Sequence, residues 1–459
     1  MGRRALRHLA FTFFGAAVLL VAACKGNDGA VRLFPGDAGI TPARTASSAT
    51  PPGPGGKRDE PRADLRLGDH HLDEHDDEVD GVPPDGKPVV ECPIDDKLDV
   101  DAALDMAASK YDAGAFDLAL ACADRAVRVS PRSVEAHHNR GLALAALERW
   151  DEARQAFTHA LAIDPNDPET LAGAADLYIN RVPPGRDMTE LGLEYARRGS
   201  AHVGGRREDL ELAGRLALLE AQALDDLGQT DEALLRAEAA VSLDAKSVDS
   251  RYERAVVLFH MCRFERAREA FGELAKAAPD DPFVLYHLGM VLEREGRQAE
   301  ADKLFARAHA LAADKFPDPA GMVTAAEFQA MVDHAVAVLP AHLKAAVQGV
   351  AIEVSDLPAA DDLLAVDPPF APTILGLSRG APVGARTPPP AAGLSSKGAP
   401  SAPDDADDEP RSIVLYRKNL ARAVTSRAEL EKQVRITLWH EIGHLRGADE
   451  DDLRERGLE

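Results

Sequence analysis

Small and apolar residues recur along the middle of the chain with a fixed step. Gly141, Ala153, Phe157, Ala160 and Pro165 are echoed 34 residues earlier by Ala107, Ala119, Ala123, Ala126 and Pro131. Starts at Gly214, Val248 and Pro282 continue the step. They give Ala221/Ala233/Ala237/Ala240, then Ala255/Ala267/Phe271/Pro279, then Gly289/Ala301/Phe305/Ala308. A longer unit with an insertion at Val182-Pro183-Pro184-Gly185 fills 168–213. The pattern predicts six helix-pair units over about 100–315, stacked because one unit cannot bury its apolar face alone. Small residues let the two helices of a unit approach. A phenylalanine fills the remaining gap, and proline ends the second helix.

Beyond Pro319 the period stops. Met322, Phe328, Met331, Val332, Ala335 and Leu339 predict an amphipathic helix over 322–346. Val347–Val354, Thr373–Leu377 and Ser412–Tyr416 read as strands. Residues 426–446 read as a long helix burying Leu430, Val434, Thr437, Leu438 and Ile442. The Pro-, Ser- and Asp-rich stretch 387–410 reads as a disordered insert. Helix, strands, then a late helix make this part α+β.

Composition narrows the function. The 459 residues exceed one ordinary domain, and aromatics at 5% suit stacked helices better than a β-sandwich. A net charge of −24, with no basic stripe, argues against nucleic acid as partner. Four cysteines exclude a disulfide-dense scaffold or cysteine-rich zinc array. Arg3, Arg4 and Arg7 precede an apolar run from Phe11 to Ala23, too short for a comfortable membrane span. It ends Val21-Ala22-Ala23-Cys24 and resembles a bacterial lipobox. That resemblance implies lipidation at Cys24, export, and anchoring in the cell envelope. Lys25 leans towards the outer membrane, on its periplasmic or surface side. Residues 25–94 read as a disordered tether, and His70, His71 and His75 as part of a solvated spacer. Cys122 and Cys262 read as packing residues, and a Cys92–Cys122 disulfide is left open by the sequence.

The repeat positions resemble the tetratricopeptide family across about 215 residues. The resemblance implies a superhelix whose groove binds a protein or peptide segment. His137, Asn139, Arg140, Arg251 and Arg254 fall on the first-helix faces that usually line it. Fold alone names no partner.

The late helix holds His440-Glu441-Ile442-Gly443-His444. Residues four apart lie about 40° apart around a helix, so both imidazoles can address one ion. Zn²⁺ takes such nitrogens and leaves a position for water. Glu441, turned about 100° from His440, can move that water's proton to the leaving amine. Gly447 then ends the helix, and an acidic run follows. Glu450 stands six residues after His444 as a third-ligand candidate, with Asp449 and Asp451 as alternatives.

Residues 322–459 resemble a family of small zincin-like metallopeptidases. The resemblance rests on Leu339-Pro340, Val350–Val354, Leu375-Gly376-Leu377, Ile413–Arg417, Val434–Leu438 running into HExxH, and Asp451-Asp452-Leu453 near Gly457-Leu458. It implies a minimal zincin fold with His440 and His444 as ligands and Glu441 as base. It also implies a substrate-pairing strand at the cleft edge, here expected to be Ile413–Tyr416. The resemblance implies a place near the cleft entrance for the 387–410 insert, longer than such minimal domains usually carry and expected there as a lid, and Leu445 stands where a second histidine is common.

The expected chain is therefore mainly α: a signal segment (1–24), a linker (25–94), a repeat array (95–318) and a zincin-like domain (319–459). The expected function is that of a lipid-anchored zinc metallopeptidase whose array recruits a partner or substrate. The alternative is an inactive scaffold lipoprotein. Glu441 separates the two, because a purely structural metal site has no use for it.

Overall fold

A computed structural model describes residues 90–94, 99–318, 323–380, 411–448 and 452–453. The signal segment with Cys24, most of the linker, the 387–410 insert, and Asp449, Glu450 and Asp451 lie outside the described residues.

Twelve helices pair into six units. They are α1 (Val100–Asp112) with α2 (Phe116–Val129), α3 (Val134–Ala146) with α4 (Trp150–Ile163), and α5 (Pro168–Asp176) with α6 (Arg186–His202). Then come α7 (Leu210–Asp226) with α8 (Thr230–Leu243), α9 (Val248–His260) with α10 (Phe264–Ala277), and α11 (Pro282–Arg294) with α12 (Gln298–Leu311). Local chemistry sets these ends. Asp99, Ser133, Asp167, Ser247 and Asp281 cap first helices by accepting backbone N–H bonds. The turn inside a unit needs one left-handed residue. Gly114, Gly228 and Gly296 supply it, whereas Glu148 and Cys262 adopt it at φ 60° and 56°. In the third unit α5 runs into a π turn, Leu177–Arg181, before the expected insertion.

The small-to-large pairing inside a unit is literal. A Cβ on Gly141 would sit 2.7 Å from the Phe157 ring, and one on Gly289 2.8 Å from Phe305. Either alanine would force the helices apart, so glycine and phenylalanine are one packing decision. Cys92 and Cys122 are joined in a disulfide that ties the lead-in to α2, and Arg125 donates to the carbonyls of Cys92 and Ile94.

The C-terminal part starts with two helices, α13 (Ala325–Ala337) and α14 (Ala341–Ala346), where one was expected. Pro340 divides them, since a prolyl nitrogen cannot continue the ladder. Strand β1 (Ala351–Ser355), the short α15 (Ala360–Leu363), β2 (Gly376–Arg379) and β3 (Ser412–Tyr416) follow. Helices α16 (Arg417–Arg422) and α17 (Arg427–Leu445) complete it. The sheet order is β1-β3-β2, with β3 parallel to β1 and antiparallel to β2. One face packs Ile413 and Leu415 against Leu430, Val434, Leu438 and Ile442 of α17 and Phe328 of α13. The other packs Leu377, Val414 and Tyr416 with Leu363 and Ile374, and reaches Cys262 and Phe264 of the fifth unit.

That second face joins the two parts. Glu293, at the end of α11, accepts two bonds from Arg422 at 2.7 and 3.0 Å and one from Lys418 at 2.8 Å. The Arg422 guanidinium also lies 4.7 Å from the Phe305 ring centre. Arg294 donates to the carbonyls of Pro358 and Pro372. A repeat array needs a cap on its last apolar face. Here Phe316 packs on Phe283 and Tyr286, and the Arg422 guanidinium lies over Phe305.

Candidate metal centre

Helix α17 carries the HExxH residues, and its limits follow from its ends. A capping box starts it: Ser426 Oγ accepts from Glu429 N, and Glu429 accepts from Ser426 N. Gly447 stops it at φ 80°, a conformation that costs glycine least. That stop also has a chemical use. It turns the Ala448 carbonyl back to His444, whose Nδ1 lies 3.1 Å away. A carbonyl only accepts, so Nδ1 carries the proton and Nε2 presents a lone pair.

His440 Nε2 lies 2.9 Å from His444 Nε2, with the ring planes at 81°. The two nitrogens converge on one point from adjacent turns of one rigid helix. His440 and Glu441 are each 7% exposed. Two converging imidazoles with one tautomer fixed from behind, beside a buried carboxylate, form a donor set suited to zinc. Among the described residues no group of three metal-binding side chains closes around one point. Glu450, Asp449 and Asp451 fall between two described anchors, Ala448 and Asp452.

Two glycines that sequence reasoning passed over shape the site. A Cβ on Gly376 would lie 2.9 Å from Thr437 Cγ2 and 3.1 Å from Glu441 Cγ and Oε1. The missing side chain lets β2 lie directly on the Glu441 turn. A Cβ on Gly443 would lie 2.3 Å from Leu453 Cδ2. Leu453 is fully buried there, so the chain beyond the helix is pinned across the HExxH turn. The signal available was a glycine inside the HExxH string, at a helix position that ordinarily disfavours it.

The expected edge strand needs correction. Ile413–Tyr416 belongs to β3, the central strand, paired on both sides. The strand beside Glu441 is β2, at the edge of the sheet among the described residues. The correction was readable: a continuous apolar run marks a central strand, whereas Gly-Leu-Ser-Arg suits a half-exposed edge. At the far end of β2, Arg379 makes a two-bond pair with Asp362 at 3.0 and 2.6 Å. The Tyr416 hydroxyl donates to Asp362 at 3.5 Å. Burial first, then the charge of Asp362, with a smaller push from Glu441, holds that phenol protonated.

A stacked helical array that ends on a small α+β domain with an HExxH helix defines a repeat protein carrying a zincin-type module. Comparison with known families agrees. The zincin-like metallopeptidase family model matches residues 347–458. Two tetratricopeptide-repeat models match 104–168 with 262–315, and 224–288. The chain thus joins tetratricopeptide repeats to a C-terminal zincin-like metallopeptidase domain. Among curated proteins none matches. Solved structures similar to the chain include Pseudomonas aeruginosa PilF, at 15% identity, covering 50% of this chain and 96% of that one, TM-score 0.40. The pilus biogenesis factor PilW is 15% identical, covering 46% and 92%, TM-score 0.41. A thermophilic tetratricopeptide protein of Thermus thermophilus is 18% identical, covering 42% and 98%, TM-score 0.36.

Proposed function

We propose that the chain is a zinc-dependent peptidase, anchored in the cell envelope by lipid on Cys24, whose repeat array holds a peptide or protein partner. The observation that carries the reading is the 2.9 Å convergence of the His440 and His444 Nε2 atoms, with His444 oriented by the Ala448 carbonyl. His440 and His444 would hold the metal, with Glu450, or Asp449 or Asp451, as the third ligand. Zinc in that position supplies Lewis-acid polarisation of a peptide carbonyl and of water.

The chain's own residues do the rest. Glu441 takes a proton from the attacking water and delivers it to the leaving nitrogen. Its burial beside Gly376 keeps the carboxylate in one place during that transfer. The edge strand β2 offers backbone groups to an extended substrate, so main-chain pairing sets the substrate's register past Glu441. The buried junction at Glu293 ties the array to α16, the helix just before the HExxH helix.

Metal content and peptide-library cleavage test the reading, with Glu441→Gln as the comparison. Zinc bound in both proteins and cleavage only in wild type support it. Absence of zinc, or cleavage equal in the two, refutes it. The anchor is tested separately: metabolic palmitate labelling should disappear in Cys24→Ser, and wild type without label would remove the lipid.

A further inference from the structure

One polar atom of the HExxH helix is left over by the fold. Thr437 of α17 is 4% exposed, and its Oγ1 is buried with no hydrogen-bond partner among the described residues. A helical threonine ordinarily has a partner close at hand, because its hydroxyl reaches a carbonyl three or four residues back. Thr158 of the array makes that bond, donating to the Arg154 carbonyl at 2.8 Å. Thr437 does not use the corresponding carbonyls of Val434 and Gln433. An unpaired buried hydroxyl destabilises the fold, and valine would fill the same shape without it.

The position of the atom gives it a use. Thr437 precedes Glu441 by one helical turn, so the two side chains are neighbours on one face of α17. Both press on the same spot of β2. The point that a Cβ would take on Gly376 lies 2.9 Å from Thr437 Cγ2 and 3.1 Å from Glu441 Cγ and Oε1. Thr437 thus turns its methyl towards β2. The methyl and the hydroxyl of a threonine differ by one step about χ1, and both settings occur in helices. One such step brings Oγ1 to where Cγ2 now stands, beside the spot that Glu441 Oε1 also touches.

Glu441 has need of a donor there. Contact with Gly376 fixes where the carboxylate sits, but the last torsion of a glutamate is broad, so packing alone leaves the carboxylate plane free to turn. A general base works only while the oxygen that takes the proton faces the water. A hydroxyl that donates to one oxygen sets the plane and leaves the other oxygen for the proton. The Tyr416 phenol, which feels the Glu441 charge, donates to Asp362 instead.

We propose that Thr437 is a positioning residue for Glu441: its hydroxyl turns about χ1 and donates to Glu441 Oε1 in the working site, leaving Oε2 to take the proton from the attacking water. This rests on reading α17 as the helix of a peptidase. The fold itself does not use the hydroxyl, so the function of Thr437 and its contribution to stability are separable.

The test measures kcat and KM of the zinc-loaded full chain on a peptide that the wild type cleaves, and the urea midpoint of the metal-free protein, for wild type, Thr437→Val and Thr437→Ser. Thr437→Val keeps the shape and removes the hydroxyl. It should lower kcat about tenfold or more, the range for a hydrogen bond to a charged group, with KM and zinc content unchanged. Its urea midpoint should equal or exceed that of wild type. Thr437→Ser keeps the hydroxyl and removes the methyl that meets β2. It should keep most of kcat and lower the midpoint. Wild-type kcat in Thr437→Val overturns the proposal and leaves the peptidase reading standing. So does a kcat in Thr437→Ser as low as in Thr437→Val, which would assign the effect to shape. A midpoint that falls in Thr437→Val overturns it too, because the hydroxyl would then have a partner in the fold. A wild type that cleaves no peptide overturns both.

Discussion

Removing the Glu293 carboxylate is the sharpest perturbation of the junction. Glu293→Gln keeps the shape of the side chain and removes its charge. Arg422 is then left almost wholly buried, at 3% side-chain exposure, without its counter-ion. Two lines give the size of the effect. Burial pushes the Glu293 carboxyl up, but the Arg422 and Lys418 bonds and charges together outweigh it and hold it at about 2, against an ordinary 4.5. At about 1.4 kcal/mol per tenfold, that drop represents roughly 3 kcal/mol of folding stability at neutral pH. Breaking one partner of a buried pair independently costs about 3–5 kcal/mol. The carboxyl is more acidic folded than unfolded, so its contribution is complete above pH 4.5 and is lost as pH falls towards 2. The assay is urea unfolding followed at Trp439, one of two tryptophans, with Trp150→Phe in the background. Trp439 packs against the core of the C-terminal domain. Glu293→Gln should lower its stability by about 3 kcal/mol at pH 7 and by much less at pH 3. The pair Glu293→Leu/Arg422→Leu should cost less than its two single changes summed, because the stranded charge is gone. A loss below about 1 kcal/mol, or strictly additive single costs, would refute the reasoning.

Two further changes probe the centre itself. Gly376→Ala places a methyl 2.9 Å from Thr437 and 3.1 Å from Glu441. It should cut peptide cleavage at least tenfold while zinc content and Trp439 unfolding stay near wild type, and unchanged cleavage would show that β2 does not seat Glu441. Gly443→Ala meets Leu453 at 2.3 Å and should displace the segment beyond Ala448. Zinc affinity, read by competition with a chelating dye, should fall at least tenfold, and wild-type affinity would separate that segment from the metal.

Local chemistry made much of the fold legible. The 34-residue step located the helix pairs, because packing small residues against Phe157, Phe271 or Phe305 leaves a periodic mark. Ser412–Tyr416 and the buried face of α17 were equally plain, since continuous and 3.6-residue apolar patterns report burial directly. Pattern reports burial, however, and not pairing. Thr373–Leu377 looked like a strand, yet the ladder runs over Gly376–Arg379, because Ile374 and Leu375 enter the core just before β2 begins. Long-range charge left no mark at all. Glu293 and Arg422 lie 129 residues apart, and each alone resembles a solvated helix residue. The HExxH string named His440, Glu441 and His444. What it could not show was the support around them: the Ala448 carbonyl, the gap at Gly376 and the Leu453 pin all depend on where the chain returns.

The most direct measurement is the rate of peptide-bond cleavage by the full chain against Glu441→Gln, both loaded with one equivalent of zinc. The account predicts measurable cleavage by wild type and a loss of at least a hundredfold in the variant, with zinc content equal in the two. Equal rates, or a wild type that binds no zinc, would contradict it.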